Sequence, residues 1–99
     1  MSSNDIFENL QFLKEGPNKY TLAEKDGYSV LRLSLKKGAR APPHVASHSA
    51  FFLVLKGRAI ITSGDDEVEL GENQYISVEA HQMRGIQALE DLVILAVKD

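Results

Sequence analysis

The strongest constraint on the fold of this chain is a two-residue rhythm of apolar side chains, repeated in short runs along most of its length. In "GYSVLRLSLKKG", Leu31, Leu33 and Leu35 alternate with Arg32 and Ser34, the pattern of a strand with one face buried and one face polar. "AFFLVLKG" is apolar from Ala50 to Leu55, which fits a strand covered on both sides. "RAIITS" follows Gly57, and "SGDDE" then reads as a turn, with Gly64 free to take a positive φ and Asp65 and Asp66 able to bond the turn backbone. "VEL", "QYISVE", "HQMRGIQAL" and "DLVILAVK" are further strand candidates, punctuated by Gly71 and "LED". Many short, evenly spaced strands with hardly any helical pattern predict an all-β domain, a closed antiparallel barrel or a double-sheet jelly roll.

The beginning of the chain reads differently. Asn4 or Asp5 is placed to cap a helix, and Ile6, Leu10 and Leu13 fall on one helical face. A short helical turn is therefore expected in an N-terminal arm, residues 1–17, ahead of a barrel over 18–99.

With 99 residues the chain is expected to be a single domain, large enough to bury roughly two thirds of the surface its unfolded form exposes. There is no cysteine, which removes disulfides, thiolate metal sites and cysteine nucleophiles together. A net charge of -3, from 11 basic and 14 acidic residues, argues against nucleic acid as a partner, because neutralising phosphates requires a concentrated basic surface. "LKKGAR" is the one local basic cluster and reads as a solvated strand end. "MSSNDIFENL" has neither a basic start nor an apolar core, and "AFFLVL" is far too short to cross a bilayer. The expectation is a soluble cytoplasmic protein with no membrane partner.

Chemistry concentrates in "GARAPPHVASHSAFFLVLKG", Gly38 to Gly57. This stretch resembles the first motif of the cupin superfamily, G-x5-H-x-H-x3,4-E-x6-G, with Gly38, His44 and Gly57 in register. The second motif, G-x5-P-x-G-x2-H-x3-N, is echoed by Gly71 and His81 in "GENQYISVEAHQMRG", with His81 one residue early. The resemblance implies a cupin-like jelly-roll β-barrel. It also implies metal ligands, and there the sequence departs from the pattern. Ala46 stands at the second histidine position and Ala50 at the glutamate position. Ser77, Glu79 and Gly85 stand where the family has proline, glycine and asparagine.

A mononuclear metal site generally requires three or more protein ligands. His44 and His81 are two. His48 shares strand parity with His44 and Ala46 and would be a third imidazole, although the resemblance places a bend at Ser47 to Ser49 where parity lapses. Glu79, two residues from His81, would complete a two-histidine, one-carboxylate set if the segment were extended. The alternative is that all three histidines are polar residues lining a barrel mouth.

The two alanines also reshape the interior. Ala46 and Ala50 remove bulk and charge, Phe52 and Val54 share the parity of Ala50, and Met83 follows His81 by two. The expected pocket is lined by His44, Ala46, His48, Ala50, Phe52, His81 and Met83, apolar with imidazoles at its rim; the alternative is a barrel filled by its own side chains. Arg40 and Arg84 are candidates to hold a ligand carboxylate, against the commoner reading as surface arginines. Neither a nucleophile elbow around Ser47 and Ser49 nor a phosphate-binding glycine loop is present.

Three functions follow in order. The first is binding of a small ligand without a complete metal-ligand set. The second is a metal-dependent isomerase or dioxygenase of the cupin type, holding a divalent transition metal on His44, His81 and His48. The third is a structural or interaction role with a filled barrel. A homodimer is also expected. "AFFLVL" turns Phe51, Leu53 and Leu55 away from the interior, and a small barrel has only one interior. The N-terminal apolar residues Ile6, Phe7, Leu10 and Phe12 would pack across a two-fold axis or, alternatively, fold back over their own barrel.

Overall fold

The computed structural model describes residues 4–99. Among them are nine strands and no helix: β1 (Asn18–Lys25), β2 (Tyr28–Leu35), β3 (Arg40–Val45), β4 (Ala50–Lys56), β5 (Ala59–Ser63), β6 (Asp66–Leu70), β7 (Tyr75–Val78), β8 (Met83–Ala88) and β9 (Leu92–Lys98). They form a five-stranded sheet in the order β1-β2-β9-β4-β7 and a four-stranded sheet in the order β3-β8-β5-β6, with every pairing antiparallel. After β2 the chain changes sheet at each connection except one, the β5–β6 hairpin, where Gly64 takes a φ of 63° as its sequence context requires. This alternation produces the jelly roll.

The two-residue rhythm decides what lies between the sheets. Leu31, Leu33 and Leu35 of β2, Ala50, Phe52 and Val54 of β4, and Leu92, Ile94 and Ala96 of β9 join Ile61, Leu70, Ile86 and Ala88 in one buried cluster. Each of the larger side chains contributes about 1.5–3 kcal/mol on burial. Gly57 closes the β4 end with a φ of 88°, and a Cβ there would overlap the Asp91 carbonyl. Only glycine fits that close approach.

Two strands were not singled out by the sequence rhythm, β1 and β3, and both are sheet edges. β3 contains Pro42 and Pro43, which cannot donate to a ladder; a bulge between Ala41 and His44 takes them out of register with β8. Across that ladder Gly85 admits the Pro43 ring, since a Cβ at Gly85 would lie 3.0 Å from Pro43 Cα and Cγ.

The expected N-terminal helical turn is a short turn instead. Asp5 accepts hydrogen bonds from the amides of Phe7 (2.8 Å, at Oδ1) and Glu8 (3.0 Å, at the carbonyl), and Asn9 then enters the left-handed region at φ 55°. The arm folds back over its own barrel. Arg32, on the outer face of β2, donates to the carbonyls of Ile6, Glu8 and Asn9, and the Ser34 hydroxyl donates to that of Gln11 at 2.6 Å.

Candidate functional site

A cavity of about 290 Å³ lies between the sheets where their edge strands β1 and β3 face each other. Its apolar wall is Leu33, Ala41, Ala50, Phe52 and Ile86, and its polar groups are Lys19, His44, His48, Arg84 and Lys98. The interior is not filled.

The parity of β8 places Arg84 here. Arg84, Ile86 and Ala88 are buried, while Met83 and Gln87 are exposed. His44 pairs directly with Arg84 across the β3–β8 ladder, so the two side chains share a face. His44 stands at the rim, its Nδ1–H donating to the Pro42 carbonyl at 3.2 Å. His48 enters from the bend between β3 and β4. Its neighbour Ser49 is clasped by Asp99, whose carboxylate accepts from the Ser49 amide (2.9 Å) and hydroxyl (2.6 Å).

Electrostatically the pocket is the opposite of the chain as a whole. The protein carries a net charge of -3, yet the lining holds three basic side chains, Lys19, Arg84 and Lys98, besides its two histidines, and no carboxylate. Burial, then the charges of Arg84 and Lys98, hold the His48 imidazole below its ordinary value, with Asp99 opposing and His44 adding to the depression. Lys98 is likewise lowered, by burial first and then by Lys19 and Arg84. Arg84 is 4% exposed. Its Nη2 donates to the carbonyls of Glu79 (3.0 Å) and Gln82 (3.2 Å), while Nε and Nη1 are buried without an acceptor.

Of the residues expected to line the pocket, His44, His48, Ala50 and Phe52 do so, and Ala46, His81 and Met83 do not. The cause is local. Residues 79–82 form a turn, with His81 at φ 67° and its amide donating to the Ala46 carbonyl at 2.8 Å. Strand parity does not pass through a left-handed residue, so Met83 faces outward and Glu79 is not on an extended face with His81. Ala46, between the end of β3 and the bend at residues 47–48, also lies outside the cavity lining. Arg40 lines a separate surface depression with Lys14, Lys36 and Lys37.

Three imidazoles are therefore not gathered around one point. Among the described residues no group of three or more His, Cys, Asp or Glu is arranged to hold a metal ion. The guanidinium beside His44 and His48 makes this donor set a poor one for a divalent cation, because like charges repel strongly where water is scarce. Lys19 and Lys98 carry no signal in the sequence, whereas Arg84 is a candidate to hold a ligand carboxylate, set against the commoner surface reading. The signal for Arg84 was present in "RGIQA", where apolar Ile86 and Ala88 inside and Gln87 outside oblige Arg84 to point inward.

Residues 31–98 match the family model described as Cupin domain. The structure is similar to that of a conserved protein of unknown function from Streptococcus pyogenes, with 23% identity and a TM-score of 0.85, covering 98% of this chain and 85% of that one. It is also similar to an RmlC-like cupin from Desulfovibrio desulfuricans (18%, 0.86, 99% and 95%) and to a putative mannose-6-phosphate isomerase from Ralstonia eutropha JMP134 (18%, 0.84, 99% and 97%). No curated protein matches the sequence significantly.

Proposed function

The chain belongs to the cupin domain family, and we propose that within it this protein binds a small organic molecule in the inter-sheet pocket without a resident metal ion. The cavity itself carries the reading: about 290 Å³ between Leu33, Phe52 and Ile86, at the lower edge of the volumes small-molecule sites occupy. A domain serving only as a structural block would fill that space, since each unfilled methylene costs packing energy. The donor set supports binding over metal-dependent isomerase or dioxygenase chemistry, because two imidazoles and a guanidinium are not a metal cage. Ala50 gives the test. Ala50→Leu is expected to fill the pocket and abolish the binding of small aromatic probes, followed by amide chemical shifts at Leu33, Phe52 and Ile86. Undiminished shifts in the variant would remove the pocket as the site.

We infer also that two copies pair through the outer face of the five-stranded sheet. The arm, fastened at Arg32 and Ser34, lies over the β2 side. Phe51, Leu53, Leu55, Leu95 and Val97 remain half-buried, and Tyr75, whose ring packs against Phe51 at 5.4 Å, is 66% exposed. Such a stripe is self-complementary across a two-fold axis. Sedimentation at micromolar concentration should give a dimer that dissociates in Phe51→Glu or Leu53→Glu; a wild-type monomer unchanged on concentration would exclude it. Among the described residues no helix is long and apolar enough to cross a membrane.

A further inference from the structure

We propose that the pocket is selective for a small organic anion, its apolar body against Phe52 and Ile86 and its charged headgroup among Arg84, Lys98 and Lys19. The inference rests on the binding reading above and adds the chemical class of the ligand.

The argument begins with a charge that the protein leaves unanswered. Arg84 is almost wholly buried, and folding gives it two carbonyls for five N–H bonds, with Nε and Nη1 left without acceptors. Among the described residues its guanidinium has no ion pair. A buried cation without a partner is costly, and the cost is tolerated where another molecule supplies the counter-charge. Lys19 from β1 and Lys98 from β9 bring two more cations to the same cavity, and none of its lining residues is acidic. The three come from different strands and both sheets, so their meeting is a product of the fold and not of a basic run in the sequence. Burial first, and then the neighbouring charges of Lys19 and Arg84, lower the Lys98 ammonium. An anion relieves all three at once. The ligand's apolar part is equally constrained: Leu33, Ala50, Phe52 and Ile86 line the cavity with nothing to hydrogen-bond a polyhydroxylated body.

Carboxylate and phosphate headgroups share this chemistry, and benzoate, phenyl phosphate and neutral benzyl alcohol separate the possibilities. Titrations followed by amide shifts in low-salt buffer should show at least one anion binding ten-fold or more tighter than benzyl alcohol, with the advantage shrinking as salt is added. Whichever of the two anions wins identifies the headgroup. Arg84→Met should remove the ten-fold advantage while leaving benzyl alcohol within two-fold. Lys98→Met, at a half-exposed position, should weaken the anion in the same sense and serves if Arg84→Met does not fold. Equal affinity of anions and benzyl alcohol for the wild type would overturn anion selectivity and leave the pocket standing. Failure of all three probes to perturb the pocket would overturn the binding reading and this inference with it.

Discussion

Two buried arginines, Arg32 and Arg84, show how differently one barrel treats the same side chain. Arg32 is 1% exposed on the outer face of β2, gives Nη1 and Nη2 to three arm carbonyls, and stacks at 4.6 Å on the Tyr20 ring. Only its Nε lacks an acceptor. Arg84 is held by two carbonyls of the adjacent turn, with two nitrogens unsatisfied and an open cavity beside it. The first arginine is a clasp whose partners come from the chain itself. The second is a fixed charge whose surroundings are incomplete. Burial alone does not distinguish structure from function; the accounting of partners does.

The largest effect should come from breaking the clasp. Arg32→Ala removes three charge-assisted hydrogen bonds and the ring contact, and should lower unfolding stability by about 3 kcal/mol in urea denaturation. It should also expose the segment before Asn18 to limited proteolysis. Unaltered stability together with a protected arm would erase the distinction between the two arginines. Ser34→Ala, which loses one buried hydroxyl bond to the Gln11 carbonyl, should cost about 1 kcal/mol, measured the same way.

Arg84→Met should do the reverse of Arg32→Ala. The carbonyls it releases belong to exposed residues, Glu79 and Gln82, and water can take them over. Stability should lie between unchanged and a gain of about 1 kcal/mol; a loss comparable to that of Arg32→Ala would make Arg84 a second clasp. The same variant alters the pH response. His48 has a lowered value in the folded chain, so the unfolded chain takes up the proton first and stability falls as pH drops below 6.5 toward the folded value. Burial remains in Arg84→Met but one depressing charge is gone, and the His48 ring-proton titration should move upward while that stability slope shrinks.

The smallest effect concerns the rim. Asp99 is held below its ordinary 3.8 chiefly by the hydrogen bonds from Ser49. A depressed carboxylate contributes stability above its unfolded value and loses it as pH falls through the folded one. Asp99→Asn should therefore flatten the acid limb of the stability curve slightly and broaden the amide signals of His48 and Ser49. An unchanged acid limb would mean that the clasp at the rim does not order the bend.

Some of this was legible beforehand because it depends only on neighbours in the chain. Alternation in β2, β4 and β9 needs no partner to be read, and Gly64 announces its positive φ through the turn "SGDDE". β3 has no alternation to read, and its Pro42 and Pro43 are accommodated only by a bulge and an edge position that the tertiary fold supplies. The site was half legible. Ala50 and Phe52 are in a regular stretch of β4, where counting by two works, and His44 follows the β3 bulge in direct register with Arg84. His81 and Met83 fall outside the cavity lining because strand parity does not pass through the left-handed His81 in the β7–β8 turn, and a single sequence does not announce a left-handed histidine.

The sequence by itself determined the all-β architecture, the buried faces of β2, β4 and β9 and the β5–β6 turn, since these follow from side-chain periodicity and backbone sterics acting over a few residues. Tertiary structure alone decided that Lys19, Arg84 and Lys98, separated by most of the chain, share one cavity, and that Arg32 does not. Electrostatic character belongs to a place in space and not to a segment: a chain of net negative charge has a positive pocket because the fold gathers buried Arg84, half-buried Lys98 and exposed Lys19 around one cavity whose lining holds no carboxylate.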